Sequence, residues 1–314
     1  MQEQEPTDLR EAMVAAFIEG VAQGTDLVVV VSDSTSTSKI APFAGKYPDR
    51  VVNVGIAEQN LVGVAVGLSL GGFTPFTCNA APFLVARANE QIKNDVCYSN
   101  TNVKLVGLNA GICYGPLAST HHAIDDISMM RGLGNILILA PSDPVETREM
   151  FRFAFKYKGP IYIRMDSAKF PVLHDETYRF GPGKVDVLRG GNDVTICAVG
   201  SVVCEAYEAA RDLAERAVDA EVLNVSSIRP VKKMAILESI VRTAHVVTVE
   251  EHVLSGGLGS LVSEIIAEGG LRPEFRRLGI PEGEFAVAGP REQVRAHYGI
   301  DRAGIVRTVM EMVD

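Results

Sequence analysis

The chain has 314 residues, of which 47% are hydrophobic and 22% are charged, a balance that is typical of a globular protein and excludes a disordered one. Asp and Glu total 39 against 30 Lys and Arg, so the formal charge is −9 and a polyanion such as nucleic acid is an unfavourable partner.

The N-terminal residues, the apolar runs and the cysteines predict a cytoplasmic protein. Residues 1–7 are polar and acidic and lack the basic and apolar regions of a signal peptide. The densest apolar run, residues 27–31, is too short to cross a bilayer. The five cysteines include no C-x-x-C pair, and their odd number is typical of a reducing compartment.

The first half of the chain alternates helix-like and strand-like segments. Residues 9–19 place apolar side chains at helical spacing, and residues 27–31 form a continuous aliphatic run that indicates a strand buried on both faces. In chain order, the pattern then predicts strands at 51–54, 104–108, 136–139 and 161–164, and helices at 57–70, 90–97 and 144–157.

A stretch rich in glycine and proline separates this half from a second alternation. It lies between Phe170 and Asn192 and contains Pro171, Pro182 and four glycines. The pattern beyond it predicts strands at 194–198, 221–225 and 246–249, and helices at 203–218, 233–243 and from the glycine-rich stretch 256–259 to residue 267. We therefore predict an α/β fold of two domains, residues 1–180 and 192–314, joined by a linker at 181–191. Each domain is a mostly parallel sheet flanked by helices.

Three segments that follow predicted strands lie where ligands bind in such folds, and each also has a structural interpretation. Glu58 opens a helix, where it complements the helix dipole or performs acid–base chemistry. His121 and His122 lie in a polar loop and either transfer protons or only shape the loop, and no third ligand at a metal-site spacing accompanies them. The glycines at 256–259 form either a phosphate-binding turn or, as we favour, a packing turn.

Four motifs together resemble the pyrimidine-binding and C-terminal domains of transketolases over nearly the whole chain. They are VGIAEQN at 54–60, THHAIDDI at 120–127, PSDPVET at 141–147, and TVEEH at 248–252 followed by GGLG at 256–259. This resemblance implies a thiamine-diphosphate enzyme that transfers two-carbon ketol units between sugar phosphates.

A motif that the sequence lacks points to a second polypeptide. The family holds the diphosphate and its Mg²⁺ with Gly-Asp-Gly and a later Asn, and no Gly-Asp-Gly occurs here. The resemblance therefore implies the C-terminal subunit of a split transketolase, without a metal site of its own. Its partner would be an N-terminal diphosphate-binding subunit, in an α2β2 assembly with the active site between the chains.

The resemblance also assigns roles to residues. Glu58 would hydrogen-bond N1′ of the cofactor's aminopyrimidine and so promote loss of the thiazolium C2 proton. Phe83 would stack on that ring, and Ile56 would also contact the cofactor. His121 would line the substrate channel and assist proton transfer. Arg10 and Arg164 fall where the family places arginines on the substrate phosphate, with structural ion pairs as the alternative for both.

Departures from the family pattern predict an unusual substrate. Leu117 replaces an Asp that binds a sugar hydroxyl, Asn109 stands where a substrate-binding His is common, and Ala80 stands where a pocket aromatic is common. We predict a branched ketose phosphate, such as apulose 4-phosphate, or a sulfonated ketose. Two other interpretations are a 2-oxoacid dehydrogenase β subunit, which would bind lipoyl domains, and a half that only scaffolds or regulates a partner.

Overall fold

The structure is a computed structural model that describes residues 5–313. The chain divides into two compact units. The first contains the residues up to Ala110 together with Met129–Gly181, and the second contains Gly111–Ser128 together with the residues from Pro182 onward.

The first unit is a parallel sheet with helices on its faces. Its elements up to the fifth strand are β1 (Thr7–Asp8), α1 (Leu9–Ala22), β2 (Leu27–Val31), α2 (Ala41–Lys46), β3 (Val51–Asn53), α3 (Glu58–Leu70), β4 (Thr74–Ala80), α4 (Ala81–Arg87), α5 (Asn89–Gln91), which continues into a π-helical turn over Ile92–Tyr98, and β5 (Lys104–Leu108). After β5 come α6 (Asp126–Arg131), β6 (Leu137–Leu139), α7 (Pro144–Lys156), β7 (Ile161–Arg164) and β8 (Lys169–Phe170).

Six strands of this unit are parallel and lie in the order β3-β2-β4-β5-β7-β6. The aliphatic side chains of β2 and β5 are fully buried because helices cover the sheet. Phe17 of α1 packs edge-on against Phe76 of β4 and Phe151 of α7, with ring centroids 5.1 and 5.3 Å away, so aromatic contacts join two helices to the sheet.

The second unit has its own sheet. Its elements are β9 (Asp186–Arg189), β10 (Val194–Ala198), α8 (Val203–Ala214), β11 (Ala220–Asn224), β12 (Ser227–Arg229), α9 (Lys233–Thr243), β13 (His245–Val253), α10 (Leu258–Glu268), β14 (Glu274–Ile280), α11 (Arg291–Tyr298) and α12 (Arg302–Val313). The sheet order is β14-β13-β10-β11-β9, and all neighbours are parallel except β9, which is an antiparallel edge.

The predicted α/β class is confirmed, and two details differ from the predicted boundaries. The stretch that we interpreted as a linker contains β9, which pairs with β11 although glycines flank it. Residues 111–128 pack with the second unit rather than with the first. Ile112 and Ile124 enter a buried cluster with Ile280, Ala286 and Val294.

None of the helices in the described part of the chain has the length and apolar character that crossing a bilayer requires.

Lys104 of β5 has a fully buried amino group, which ties the sheet to the end of α7 and whose pKa burial lowers to about 7. Its Nζ donates to the Asn102 side chain at 2.7 Å and to the carbonyl oxygens of Tyr157 and Gly159 at 2.9 and 2.6 Å. These three bonds satisfy all three ammonium donors, which is the condition for tolerating a buried charge.

Lys104→Met should lower the free energy of unfolding by about 2–4 kcal/mol, because it leaves two buried carbonyls without their donor. Urea denaturation measures the loss. The exposed Lys93→Met serves as the control and should be nearly neutral. Equal stability of the two variants would show that the buried bonds contribute nothing net.

Candidate active site

Glu58 opens α3 directly after the turn that follows β3. The residues before it include Ile56, whose side chain is 76% exposed, whereas Glu58 itself is only 5% exposed. An acidic residue in the first turn of a helix is favoured by the helix dipole, which explains how the sequence tolerates it there. A buried carboxylate next to an exposed apolar residue at the carboxyl edge of a parallel sheet is also the arrangement of a binding site.

Two side chains hold the Glu58 carboxylate. Arg87 Nη1 donates to both oxygens, at 3.1 and 3.0 Å, and Asn79 Nδ2 donates to one of them at 3.3 Å. Burial raises the pKa of the Glu58 carboxyl, but the hydrogen bonds from Arg87, the backbone and Asn79 outweigh burial, so the pKa lies below its ordinary value. Glu58 is therefore an anionic acceptor.

Arg87 links the ring of Phe83 to this carboxylate. The guanidinium carbon of Arg87 is 4.5 Å from the centroid of the Phe83 ring, and the same guanidinium binds Glu58. The guanidinium of Arg87 therefore contacts both the Glu58 carboxylate and the Phe83 ring. Arg87 follows Phe83 by four residues on α4, so the two side chains share a helix face.

Sequence reasoning missed Asn79 and Arg87. Asn79 lies in β4, which the sequence pattern does not predict, and its buried amide reaches Glu58 from a neighbouring part of the sheet. The sequence signal for Arg87 is its four-residue spacing after the predicted aromatic, which places both on one helix face but does not show that Arg87 binds Glu58.

The predicted phosphate-binding arginines of the first unit are both engaged with protein. Arg10 binds both carboxylate oxygens of Asp8, at 3.0 and 2.7 Å, and donates to the carbonyls of Thr37 and Ser167. This internal network favours the structural alternative for Arg10. Arg164 is 4% exposed at the carboxyl end of β7.

Asn109 and Ala80 also end strands of this sheet. Asn109 follows β5 with a φ of 55°, a left-handed conformation that asparagine tolerates, and its backbone N–H donates to Ser167 Oγ at 3.2 Å. Ala80 is the buried last residue of β4. Two of the three positions that depart from the family pattern, Asn109 and Ala80, therefore lie at the same sheet edge as Glu58.

In the second unit, a tight loop presents Leu117 and His121. Leu117 ends a short 3₁₀ turn and is 51% exposed. His121 is half-buried, its Nδ1 is 2.9 Å from Thr120 Oγ1, and its ring packs edge-on against Tyr114. The loop thus combines an exposed apolar side chain with a titratable ring.

His122, next in sequence, points into the protein. It is 4% exposed, and its Nε2 lies 3.0 Å from the Gly115 carbonyl, so Nε2 carries the proton. No group among the described residues hydrogen-bonds its buried Nδ1. Burial lowers the pKa of His122, and the Gly115 bond and the Glu251 charge oppose burial only partly.

This lowered pKa predicts a pH dependence of stability. Below about pH 6.5 the unfolded chain protonates His122 while the folded chain does not, so stability falls as pH falls through this window. His122→Gln removes this titration. The Tm of the wild type should therefore drop more steeply between about pH 6.5 and 5 than that of the variant, and parallel curves would contradict a neutral His122.

The glycine-rich turn at 256–259 is a packing turn, as favoured from the sequence. The backbone N–H groups of Leu258 and Gly259 donate to the two carboxylate oxygens of Glu250, at 2.6 and 2.8 Å. A Cβ on Gly257 would collide with Glu250 Oε2. The helix N-terminus is thus already occupied by a carboxylate of the same chain.

Two family models match the chain, one in each half. Residues 5–171 match the transketolase pyrimidine-binding domain, and residues 183–305 match the transketolase C-terminal domain. The chain belongs to the transketolase family. The family assignment made from the four motifs is therefore confirmed, and with it the two-domain α/β class.

Similar proteins of the family include separate subunits that align with this chain over nearly the whole length of both chains. The chain is 54% identical over 304 residues to an apulose-4-phosphate transketolase subunit of Actinobacillus succinogenes, covering 97% of this chain and 98% of that protein. It is 34% identical to a 6-deoxy-6-sulfo-D-fructose transketolase subunit of a Clostridium species, covering 98% of this chain and 94% of the relative.

A solved structure agrees with these relatives. A "split gene transketolase, inactive beta4 tetramer" superposes with a TM-score of 0.88 and 35% identity, covering 98% of each chain. These similarities support a split transketolase subunit and do not favour the 2-oxoacid dehydrogenase alternative.

The family implies thiamine diphosphate, and the residues of the first unit fit its aminopyrimidine. Glu58 offers a buried carboxylate as acceptor, and Phe83 offers an aromatic ring that contacts the same Arg87 guanidinium. The structure thus brings Glu58 and Phe83 together, with Ile56 just before the same helix. Leu117 and His121 form a second group in the other unit.

Proposed function

We propose that this chain is the C-terminal subunit of a thiamine-diphosphate-dependent transketolase that transfers a two-carbon ketol unit from a ketose phosphate to an aldose phosphate. The observation that carries the proposal is the Glu58 carboxylate, which is buried, held anionic by Arg87 and Asn79, and linked through Arg87 to the ring of Phe83. An anionic acceptor beside an aromatic face is what an aminopyrimidine ring requires.

Each residue would have a defined task. Glu58 would accept the hydrogen bond from N1′ of the aminopyrimidine and hold a proton there. Phe83 would support the ring face, and Ile56 would contact the cofactor on the side that is exposed in this chain. When bound, thiamine diphosphate supplies the nucleophilic carbon that takes up the ketol unit. His121 would move a proton at the ketose hydroxyl.

The partner would be an N-terminal subunit that binds the diphosphate and Mg²⁺, in an α2β2 assembly in the cytoplasm. Two observations support a separate partner chain: the sequence contains no Gly-Asp-Gly, and the subunit relative at 54% identity matches 97% of this chain and 98% of its own length. We place the pyrimidine-binding domain at 1–180 and the C-terminal domain at 192–314. The stretch 181–191 between them includes β9 of the second sheet.

The substrate would be a branched ketose phosphate, apulose 4-phosphate. Leu117 gives the loop an exposed apolar side chain where the family pattern has a carboxylate. This position therefore cannot accept a hydrogen bond from an ordinary sugar hydroxyl. The relative at 54% identity is named for apulose 4-phosphate, whereas the one named for a sulfonated ketose is 34% identical. We assign Arg164 and Asn109 to the substrate side on the family pattern, whereas the internal bonds of Arg10 favour a structural role for that residue.

Initial rates of the reconstituted subunit pair test this assignment. Apulose 4-phosphate, xylulose 5-phosphate and a 6-sulfonated ketose would be compared as donors with one aldose phosphate as acceptor. We expect the highest kcat/KM with apulose 4-phosphate. An equal or higher kcat/KM with xylulose 5-phosphate would refute the substrate assignment.

A further inference from the structure

The loop that carries Leu117 and His121 is fastened to the second unit by one buried carboxylate. Glu251 of β13 has a fully buried side chain, and one of its oxygens accepts the backbone N–H of Ile112 at 3.3 Å. Arg291 donates to both oxygens of Glu251, through Nε at 2.9 Å and Nη2 at 2.7 Å. Arg295 Nε donates to Glu251 at 2.5 Å.

Two glycines let the loop approach this closely. Gly111 has a φ of +64°, and a Cβ there would collide with Glu251 Oε2 and lie 2.8 Å from Glu251 Cβ. Gly115 has a φ of +39°, and its Cβ would lie 2.6 Å from the carbonyl oxygen of Gly289. Only glycine combines these backbone angles with these contacts.

Further bonds hold the base of the loop in place. Gly111 and Ala123 form an antiparallel bridge, and the Ile124 carbonyl accepts the backbone N–H of Val253 at 2.7 Å. The loop residues Leu117 and His121 therefore project from a base that is fixed on β13 and α11.

The two arginines connect this base to other helices. Arg291 Nη2 reaches Ser201 Oγ at 2.9 Å, before α8, and Arg295 Nη1 reaches Glu205 of α8 at 3.0 Å. Burial raises the pKa of the Glu251 carboxyl, but the charges of Arg291 and Arg295 hold it well below its ordinary value. The carboxylate is therefore charged at neutral pH.

A buried ion network is an inefficient way to stabilise a fold, because well-packed apolar residues would do as well without the desolvation cost. Such a network does impose a fixed geometry, since each charged partner requires its own hydrogen-bond direction. Here the groups that the network fixes include a backbone N–H of the loop, that of Ile112.

We propose that Glu251, Arg291 and Arg295 are positioning residues that fix the substrate loop, Gly111–Ser128, in the geometry that the donor ketose requires. The inference rests on the proposed function of Leu117 and His121. It assigns the second unit a role in substrate selection, because this unit positions the loop. Glu58, which we assign to the cofactor, belongs to the first unit.

The test uses the chain assembled with its diphosphate-binding partner and two substitutions, Gly111→Ala and Arg291→Lys. Both disturb the contacts that Glu251 makes with the loop or with Arg291, and neither removes a residue that we assign to the substrate. The matched control is Arg242→Lys, because Arg242 also pairs with a buried carboxylate, Glu221, in the same unit but away from the loop. Thermal unfolding verifies that each variant is folded.

Both test variants should raise the KM of the donor ketose by about tenfold to a hundredfold, because small misplacements of substrate-positioning groups have effects of this size. The Kd for thiamine diphosphate should stay unchanged, and amide exchange should accelerate at the Ile112 N–H and the loop after it. Arg242→Lys should leave the donor KM and the loop exchange at their wild-type values.

An unaltered donor KM in both test variants, or an equal rise in Arg242→Lys, would overturn the inference alone. An absence of ketol transfer by the wild-type assembly would overturn the proposed function and this inference with it.

Discussion

Glu58→Gln is expected to lower kcat for ketol transfer by about 10²- to 10⁴-fold, the usual cost of losing an acid–base group. Glutamine keeps the shape of the side chain and one acceptor oxygen, but it loses the charge that Arg87 and Asn79 hold in place. A neutral amide cannot stabilise a proton at N1′ of the cofactor. The assembled enzyme should therefore bind thiamine diphosphate and turn over slowly.

The fold should survive this change. Arg87 is 52% exposed, so water can solvate its guanidinium once the partner charge is gone, and the neutral glutamine leaves no charge buried. Glu90→Gln, which removes an exposed acid from the neighbouring α5, is the control and should leave kcat unchanged. A Glu58→Gln enzyme within a few-fold of the wild type would remove Glu58 from the mechanism.

Leu117→Asp is expected to shift the ratio of kcat/KM for xylulose 5-phosphate over apulose 4-phosphate upward by about tenfold to a hundredfold. A hydrogen bond from a sugar hydroxyl to a carboxylate contributes about 1.5–3 kcal/mol, which sets this range. The side chain is half exposed at the end of a 3₁₀ turn, so a charge there should not disturb folding.

Leu117→Ala separates the two effects of this substitution. Alanine removes the bulk of leucine without adding a carboxylate, so it should reduce activity on the branched ketose without improving activity on xylulose 5-phosphate. If alanine and aspartate changed the donor ratio equally, the size of the pocket rather than hydroxyl recognition would determine the substrate.

The sequence pattern predicted the elements that are buried on both faces. Runs of aliphatic residues mark β2 and β5 because parallel strands between two helical layers need no polar face. It failed at β4, a fully buried strand that contains Pro75, Thr77 and Asn79 and therefore looks like a loop. It also predicted nothing beyond residue 267, where β14, α11 and α12 follow.

The candidate site was predictable only in part. Spacing alone left Glu58 and His121 with structural alternatives, and the family motifs assigned them roles. Neither the motifs nor the periodicity could show that Arg87 bridges Glu58 and Phe83, since a long side chain can turn toward several neighbours. Likewise, Ile112 and Ile124 are apolar in any context, so only the fold shows which core they enter.

The ketol-transfer rate of three samples tests the split-enzyme account most directly: this chain alone, its diphosphate-binding partner alone, and the mixture. Each would receive thiamine diphosphate, Mg²⁺, apulose 4-phosphate and an aldose phosphate. The account predicts turnover only in the mixture, with a maximum at equal amounts of the two chains. Turnover by this chain alone, or none in a mixture that forms a stable complex, would contradict it.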